Sequence, residues 1–354
     1  MKDQEFHIAG GGIAGLTSAI AIANCGNRAV VMEKAASFEA IGAGIQLGPN
    51  AARALQKLGA WDAVEPFTCA PAEILIRDGQ SGKILKRSEL GQKFTQKFGL
   101  PYRVAHRAEL HSALLTVAKA KPNIQIETNV EVSEPSQFNA LIAADGLWST
   151  TRETLFPGTK AKQVSDLIHR ALISNPTAVE DSVNLWLFPG GHVVHYLVGN
   201  PQKLNVVAVT QGADPKIHFQ NACDALQGIL TQAPSWSLWP AAFVPPLQNW
   251  TKNNVLLMGD AAHGTLPYLA QGAAMALEDA ACLHYCIRNH EEPQVAFAAF
   301  ENQRKARTLK LHTQSLRMGQ IYHAGGLISW SRNMAMALMP DFILANQTDW
   351  IYRG

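Results

Sequence analysis

Three observations predict an α/β fold: a glycine-rich turn joining a short apolar strand to a helix near Met1, two later apolar strands that break into an Asp-Gly or a Gly-Asp turn, and a middle third of short alternating strands. Together they predict a Rossmann-like dinucleotide-binding domain, an inserted, mostly antiparallel β-sheet domain for a second ligand, and C-terminal helices. The first domain is expected over 1–70, 100–165 and 250–290, the sheet domain over 71–99 and 166–249, and the helical region over 291–354.

The first element is FHIAGGGIAGLTSAIAIANCGNRAVVMEK, from Phe6 to Lys34. Phe6, Ile8 and Ala9 end a strand. Gly10, Gly12 and Gly15 stand at G-x-G-x-x-G spacing, where backbone must approach a pyrophosphate and a side chain would block it. A helix from Ile13 to Cys25 presents its N-terminal amides to the phosphates, Gly26 ends it, and Ala29 to Met32 form the next buried strand. Glu33 can accept hydrogen bonds from adenosine ribose hydroxyls and disfavours a 2′-phosphate, so the bound dinucleotide is FAD or NAD rather than NADP.

Composition narrows the class. The chain has 354 residues, 47% hydrophobic and 16% charged, as in ordinary globular enzymes. A net charge of +2 is too small to imply nucleic acid, and Lys305, Arg307 and Lys310 read as the solvated face of a helix. The first strand begins close to Met1, which leaves no room for a leader, and no apolar run is long and uncharged enough to span a bilayer; a cytoplasmic protein without stable membrane insertion is expected. Five cysteines with no C-x-x-C pair argue against a disulfide framework and against a zinc site, and no metal is expected. Cys282 and Cys286 read as small core residues.

Beyond Glu33, GAGIQLGPNAARALQKLG contains a flexible loop at Gly42 and Gly44, with Asn50 placed to cap a helix whose apolar face is Ala51, Leu55 and Leu58. Glu73 to Arg77 and Lys83 to Lys86 read as a hairpin around Asp78-Gly79, and YRVAHRAELHSALL as a strand end followed by a helix with Arg107 at its start. Ile124 to Glu127, Val130 to Val132 and Leu141 to Ala143 read as strands, the last running into Asp145-Gly146. Strands follow at Asn184 to Phe188, His192 to Val198 and Asn205 to Thr210, then a short helix from Ala222 to Leu230 and a proline-rich connector from Pro240 to Pro246. Val255 to Met258 is a buried strand of the parallel kind, turning at Gly259-Asp260, with a helix from Gly272. Glu278 and Asp279 are expected on that helix's solvated side. A long amphipathic helix from Gln294 to His323 carries Phe297, Phe300, Leu309 and Leu316. The tail from Leu327 to Tyr352, interrupted by Arg332, Pro340 and Asp341, is expected to pack on the core.

These separated motifs resemble the class A flavoprotein aromatic monooxygenases, in the branch of salicylate hydroxylase, 3-hydroxybenzoate 6-hydroxylase and 6-hydroxynicotinate 3-monooxygenase. Gly10, Gly12, Gly15 and Glu33 fit the family's FAD fingerprint, GAGIQLGPN its flavin-ring loop, HRAEL its arginine at Arg107, ADG its Asp145-Gly146 motif, and GDAAH with Pro267 and Gln271-Gly272 its third motif. The resemblance implies non-covalent FAD, held by Gly10, Gly12, Ile13, Ala14, Gly15, Glu33, Lys34, Gly44, Ile45, Arg107, Asp145, Gly146, Gly259, Asp260, Pro267, Gln271, Gly272 and Ala273. It also implies NADH or NADPH as a transient co-substrate, O2, a small phenolic or pyridine-carboxylate substrate, and a homodimer. Asp260 would accept ribityl hydroxyls, and the helix from Gly272 would aim its amides at the flavin N1 and O2. In the implied chemistry, oxygen adds to the reduced flavin as a hydroperoxide and passes to the ring.

Two departures stand out. The segment between Glu127 and Leu141 is shorter than the family's usual meander, and beyond His263 the chain reads Gly264-Thr265-Leu266-Pro267-Tyr268, without the extra histidine or glutamine of some relatives. A substrate base must then come from the sheet. In GGHVVHYLV, period two puts His192 and Tyr196 on one face and His195 on the other, and the spacing matches the histidine and tyrosine of those relatives. His192 and Tyr196 are the candidate catalytic pair, with Gln46 as an orienting partner. Two other readings remain open at this point: a quinone or isoprenoid hydroxylase of the same fold, and a dinucleotide-binding sensor without turnover.

Overall fold

The computed structural model describes residues 4–38, 43–174, 176–177, 179–212, 214–339 and 348–353. Gly42, Pro340 and Asp341 lie outside them. Three sheets carry the architecture. The first has six strands in the order Thr251–Lys252, Val255–Leu257, Leu141–Ala143, Glu5–Ala9, Arg28–Glu33 and Ile124–Thr128. All pairings are parallel except that of the edge strand Thr251–Lys252. Val255–Leu257 and Leu141–Ala143 are short and wholly apolar because helices cover both sides of a parallel sheet. The helix Ile13–Asn24 packs against Gly272–Asn289 and Arg107–Lys119, and Gly26, at φ +81°, turns the chain after it as expected.

The second sheet orders Ser237–Phe243, Lys162–Ser174, Lys203–Gln211, Gly191–Val198, Ser182–Phe188, Glu73–Asp78 and Ile84–Glu89. Every pairing is antiparallel but that of Ser182–Phe188 with Glu73–Asp78. Its outer face packs Trp186, Phe188, Val193 and Val206 against Leu226 and Leu230 of the helix Asp224–Gln232. Its inner face packs Leu185, Leu187 and Val209 with Tyr268 and Tyr322. The third sheet joins Gly44–Leu47, Arg103–His106 and Thr68–Cys69. It bridges the other two, since Leu47 and Ala105 belong to the core of the first sheet while Val104 packs with Tyr196.

Several expectations need correction. Val130 to Val132 form no strand: Asn129 turns at φ +60°, and Val130 N–H is held by the Glu33 carbonyl at 3.0 Å. Pro240 to Phe243, expected as connector, are part of the strand Ser237–Phe243, where proline is tolerated because the strand lies at a sheet edge. Asn50 does not cap: Gly48 precedes the helix Pro49–Lys57, Pro49 presets its first turn, and the Asn50 amide donates to Gln271 at 3.0 Å and Glu278 at 2.7 Å. Leu309 is exposed rather than part of the buried face of Pro293–Tyr322. The tail divides. Ile351 is buried, whereas the helix Gly326–Leu338 touches Ile84–Glu89 and leaves Leu327, Ile328, Trp330 and Leu338 exposed.

The largest correction concerns Glu278 and Asp279, which are buried. Arg304 reaches from Pro293–Tyr322 to Asp279 Oδ1 at 2.6 Å and Glu278 Oε2 at 2.9 Å, and Arg307 binds both Glu278 oxygens at 2.6 Å. His263 lies 2.6 Å from Asp279 Oδ2. Two carboxylates thus face two guanidinium groups, which is how charge is tolerated where solvent is excluded. Arg307 is therefore turned inward, away from the solvated face on which its sequence position suggested it. The period of a helix shows which residues share a face, but not that a neighbouring helix brings counter-charges to it.

Candidate active site

The first sheet ends in a cleft of about 220 Å³ lined by Gly10, Gly12, Glu33, Lys34, Asp145 and Gly146, among others. The glycines are explained by what a side chain would meet. A Cβ on Gly15 would lie 1.8 Å from the Gly10 carbonyl oxygen; one on Gly10, at φ +98°, would lie 2.5 Å from that of Ala144. At Gly12 a Cβ meets no protein atom within 4 Å, so it would project into open space at the start of the helix Ile13–Asn24. This is the cradle a pyrophosphate needs. Ile13 is buried behind it, and Ala14 lies close enough to the Gly259 turn that a Cβ there would stand 2.8 Å away.

Glu33 is fixed by Gly11 N–H on Oε2 at 2.7 Å and by Ala35 N–H on Oε1 at 2.9 Å, with its neighbour Lys34 exposed. Asp145 accepts Thr151 N–H on Oδ2 at 3.1 Å, while its buried Oδ1 has no donor among the described residues. Gly146 turns at φ +83°. Gly259 adopts φ +60° and donates to Asp279 at 3.1 Å, which ties this turn to the buried charge network. Asp260 stands at this turn with its side chain accessible to solvent, while protein atoms crowd around its carboxyl. Burial pushes its pKa up, and His263 and Arg107 oppose that rise. Gln271 caps the helix Gly272–Asn289 and turns its side chain back to Asn50; Gly272 and Ala273 form the first turn, and Pro267 opens the short turn before it. A dinucleotide with an extended linker fits this set: a glycine cradle, an orphan carboxylate oxygen and two acids at the carboxyl ends of parallel strands. Replacing Asp260 by alanine is expected to weaken FAD binding by about 10- to 150-fold, the equivalent of one charge-assisted hydrogen bond, with the fold unchanged. Titration of the apoprotein with FAD checks this, and wild-type affinity would refute the role.

The third sheet brings the loop at Gly44 against the inner face of the large sheet. Gly44 N–H donates to Asn205 Oδ1 at 2.6 Å, and a Cβ on Gly44 would meet Asn205 and Tyr196 at 2.6 Å. Ile45 packs on the core of the first sheet, and Gln46 takes hydrogen bonds with Tyr102 and Tyr196. Arg107 begins the helix Arg107–Lys119, its N–H bonded to the Ala43 carbonyl at 3.0 Å.

His192 and Tyr196 do share the inner face, and His195 points outward, stacked on Trp186 at 6.1 Å. The pair are not neighbours, however: four steps along the strand separate them by about 13 Å. Tyr196 meets the Gly44–Gln46 loop. His192 lies at the other end, 2.8 Å from His323 Nε2 through Nδ1, with Tyr268 and Tyr322 against its ring. Burial first, and His323 second, hold the His192 pKa well below the ordinary histidine value.

Sequence reading missed Arg170, a lone cation in the alternating strand LIHRALIS, on the inner face between Ile168 and Leu172. Its guanidinium stands 5.9 Å from the Trp239 ring, its buried Nε has no acceptor among the described residues, and burial and Arg107 lower its pKa. The signal was its charge at an apolar position. Asn205 was missed as well: it stands near the start of the strand Lys203–Gln211, and its burial there is set by the facing loop at Gly44.

Comparison with known proteins bears on this geometry. Two models described as "FAD binding domain" match residues 7–95 and 221–310. The 3-hydroxybenzoate 6-hydroxylase of Polaromonas naphthalenivorans is 33% identical over 98% of this chain and 94% of its own. The 6-hydroxynicotinate 3-monooxygenase of Bordetella bronchiseptica is 27% identical over 87% of this chain and 89% of its own. Among solved structures, Klebsiella pneumoniae HpxO complexed with FAD and uric acid superposes with a TM-score of 0.86 at 20% identity, covering 99% of this chain and 97% of that one. With the fold, the cleft and a relative of this identity over nearly its whole length, the chain belongs to the class A FAD-dependent aromatic monooxygenases.

Proposed function

We propose that this monooxygenase hydroxylates a phenolic acid of the hydroxybenzoate or hydroxypyridine-carboxylate type, with NADH or NADPH as reductant and O2 as oxidant. The observation that carries the acid is Arg170: a half-buried arginine whose buried Nε–H has no acceptor among the described residues, on the face that also bears Tyr196. A carboxylate is the partner that such a fork pairs with best. The names of the two curated relatives support the phenol and the ring carboxylate. FAD, when bound, takes up the nicotinamide's electrons and activates O2.

The residues divide the remaining tasks. Gly10, Gly12 and Gly15 let backbone approach the pyrophosphate, Glu33 and Lys34 serve the adenosine, Asp145 and Asp260 the polyol linker. Gly44, Ile45, Pro267 and Gly272 frame the ring. Tyr196, oriented by Gln46, takes a polar group of the substrate at one end of the inner face. His192 at the other end, neutral at pH 7 because its pKa is depressed, accepts the phenolic proton and so enriches the ring. The apolar side chains of the face exclude water. A homodimer belongs to the same reading, with the exposed residues of Gly326–Leu338 as its surface; light scattering reads the mass directly. Among the described residues no helix is long and apolar enough to cross a membrane.

The test is NADH and NADPH oxidation by the purified holoprotein with 3-hydroxybenzoate, 6-hydroxynicotinate and the uncharged 3-hydroxybenzamide. Stimulation by the acids is expected, and the ratio of kcat/KM for the two reductants assigns the co-substrate. Arg170→Met should raise KM for the acids by roughly 10- to 100-fold and leave the amide's unchanged, as loss of a charge-assisted contact predicts. Equal KM values in the variant overturn the assignment. Stimulation by a quinone or isoprenoid alone, or by nothing, would replace this function by another of the same fold or by a sensor.

A further inference from the structure

The geometry points to a buried proton relay, His192–His323–Asp166, in which His323 and Asp166 are positioning residues that hold His192 as a base through Nε2. This inference rests on the phenol-hydroxylating function proposed above.

The relay joins three distant parts of the chain. His192 lies on the strand Gly191–Val198, His323 is the residue that closes the helix Pro293–Tyr322, and Asp166 lies on the strand Lys162–Ser174. His192 Nδ1 and His323 Nε2 are 2.8 Å apart with their rings stacked at 28°, and His323 Nδ1 lies 3.4 Å from Asp166 Oδ2. The same Asp166 oxygen accepts a hydrogen bond from Tyr268. The backbone fixes the middle member, since Gly190 N–H donates to the His323 carbonyl at 3.0 Å. Tyr268 is seated by a notch in the long helix: a Cβ on Gly319 would lie 2.4 Å from its ring. These contacts do not serve the FAD cleft, and simple packing does not call for two imidazoles and a carboxylate in line.

Proton positions follow from the acceptor at the end. A carboxylate only accepts, so in the relay His323 turns Nδ1–H toward the Asp166 charge 3.4 Å away and keeps Nε2 unprotonated. His192 must then donate Nδ1–H to that nitrogen, which leaves its own Nε2 with the lone pair. When a phenol gives its proton to His192 Nε2, the Nδ1 proton passes to His323 Nε2. His192 ends neutral in its other tautomer, His323 becomes an imidazolium facing Asp166, and the substrate is a phenolate. One proton enters the chain, and the positive charge it brings rests on His323 beside the unchanged Asp166 carboxylate. The logic is that of a base oriented by a third group. It also supplies a polarising device near the loop Gly264 to Tyr268, where the chain lacks the histidine or glutamine of some relatives. The titratable groups facing the relay are Tyr322, Tyr268 and, beside His323, His218 of the helix Pro215–His218.

The test uses FAD-loaded enzyme and 3-hydroxybenzoate. Ultraviolet difference spectra read the ionisation of the bound phenol against pH, and product formation against NADH consumed reads coupling. In Asp166→Asn and His323→Gln the apparent pKa of the bound phenol is expected to rise by about one unit or more, and coupled hydroxylation to fall by about 10²-fold, with KM near wild type and NADH still consumed. Asp166→Glu should restore part of the loss. Folded variants that keep the wild-type phenol titration and pH profile overturn the relay. If they do not fold, ¹⁵N-histidine NMR of the wild-type protein decides: a proton on His192 Nδ1 supports the relay and one on Nε2 overturns it. That measurement needs no substrate, so it stays informative even if wild-type enzyme ignores every phenol, an outcome that would refute the substrate and not the relay.

Discussion

His192→Ala is expected to slow coupled hydroxylation by about 10² to 10⁴-fold, the usual contribution of a general base, while FAD content stays normal. NADH should still be consumed, its electrons leaving as hydrogen peroxide because no activated ring is present to take the oxygen. His195→Ala should leave the rate near wild type. The two histidines are three residues apart and equally buried, but one faces Tyr268 and His323 while the other lies on Trp186 across the sheet. Product quantified against NADH consumed separates them. Wild-type coupling in His192→Ala, or loss confined to His195→Ala, would put the base elsewhere.

Arg304→Ala should destabilise the fold by about 3 to 5 kcal/mol, because it removes the guanidinium on Asp279 Oδ1 and one of the two on Glu278, leaving Arg307 as the one arginine facing two buried carboxylates. Urea unfolding followed by circular dichroism measures it, and a loss within about 1 kcal/mol of wild type would contradict the buried network. The pH dependence has a definite sign. Burial alone would raise both acids, but Arg307 and Arg304 outweigh it at Glu278, and His263 and Arg304 outweigh it at Asp279, so both pKa values fall below their ordinary range. Acids of lowered pKa contribute stability that is complete above their unfolded values, near pH 4, and lost as pH falls through the folded ones. In Arg304→Ala that contribution shrinks, and acid unfolding should begin at higher pH. FAD should also be held less well, since Asp279 anchors Gly259 and with it Asp260.

What could be read from sequence was whatever depends on neighbours along the chain. Gly10 and Gly15 announce the cradle because their constraint is steric and local, and His192 and Tyr196 share a face because a strand repeats every second residue. Distance along that strand was legible too, yet only the sheets show that Tyr196 ends beside Gln46 and His192 beside His323. Glu278, Asp279 and Arg307 were misplaced for a different reason. Charged residues at helical spacing ordinarily face solvent, and the rule fails where a second helix supplies the counter-charge from far along the chain. Asp166 and His323 carried no signal at all: each is an ordinary polar residue in its own segment, and their relation exists only after the long helix has ended against the large sheet. Val130 to Val132 read as a strand because the segment is short and apolar, whereas the turn at Asn129 decides its course.

The order of strands in the first sheet has a consequence for how the molecule comes into being. Glu5–Ala9 is made first but sits at the centre, between Arg28–Glu33 and Leu141–Ala143, and Val255–Leu257 must insert beyond the latter before Gly259 and Asp260 stand at the cleft. Asp279 and Arg304, which hold that turn, come later still. At typical synthesis rates these residues emerge on the order of tens of seconds after the glycine turn. Until then one edge of the half-built sheet waits unpaired over a long loop, a slow and aggregation-exposed topology. Flavin capture is accordingly a late event in the life of the chain, and a supply of FAD at that moment should raise the yield of folded protein by mass action.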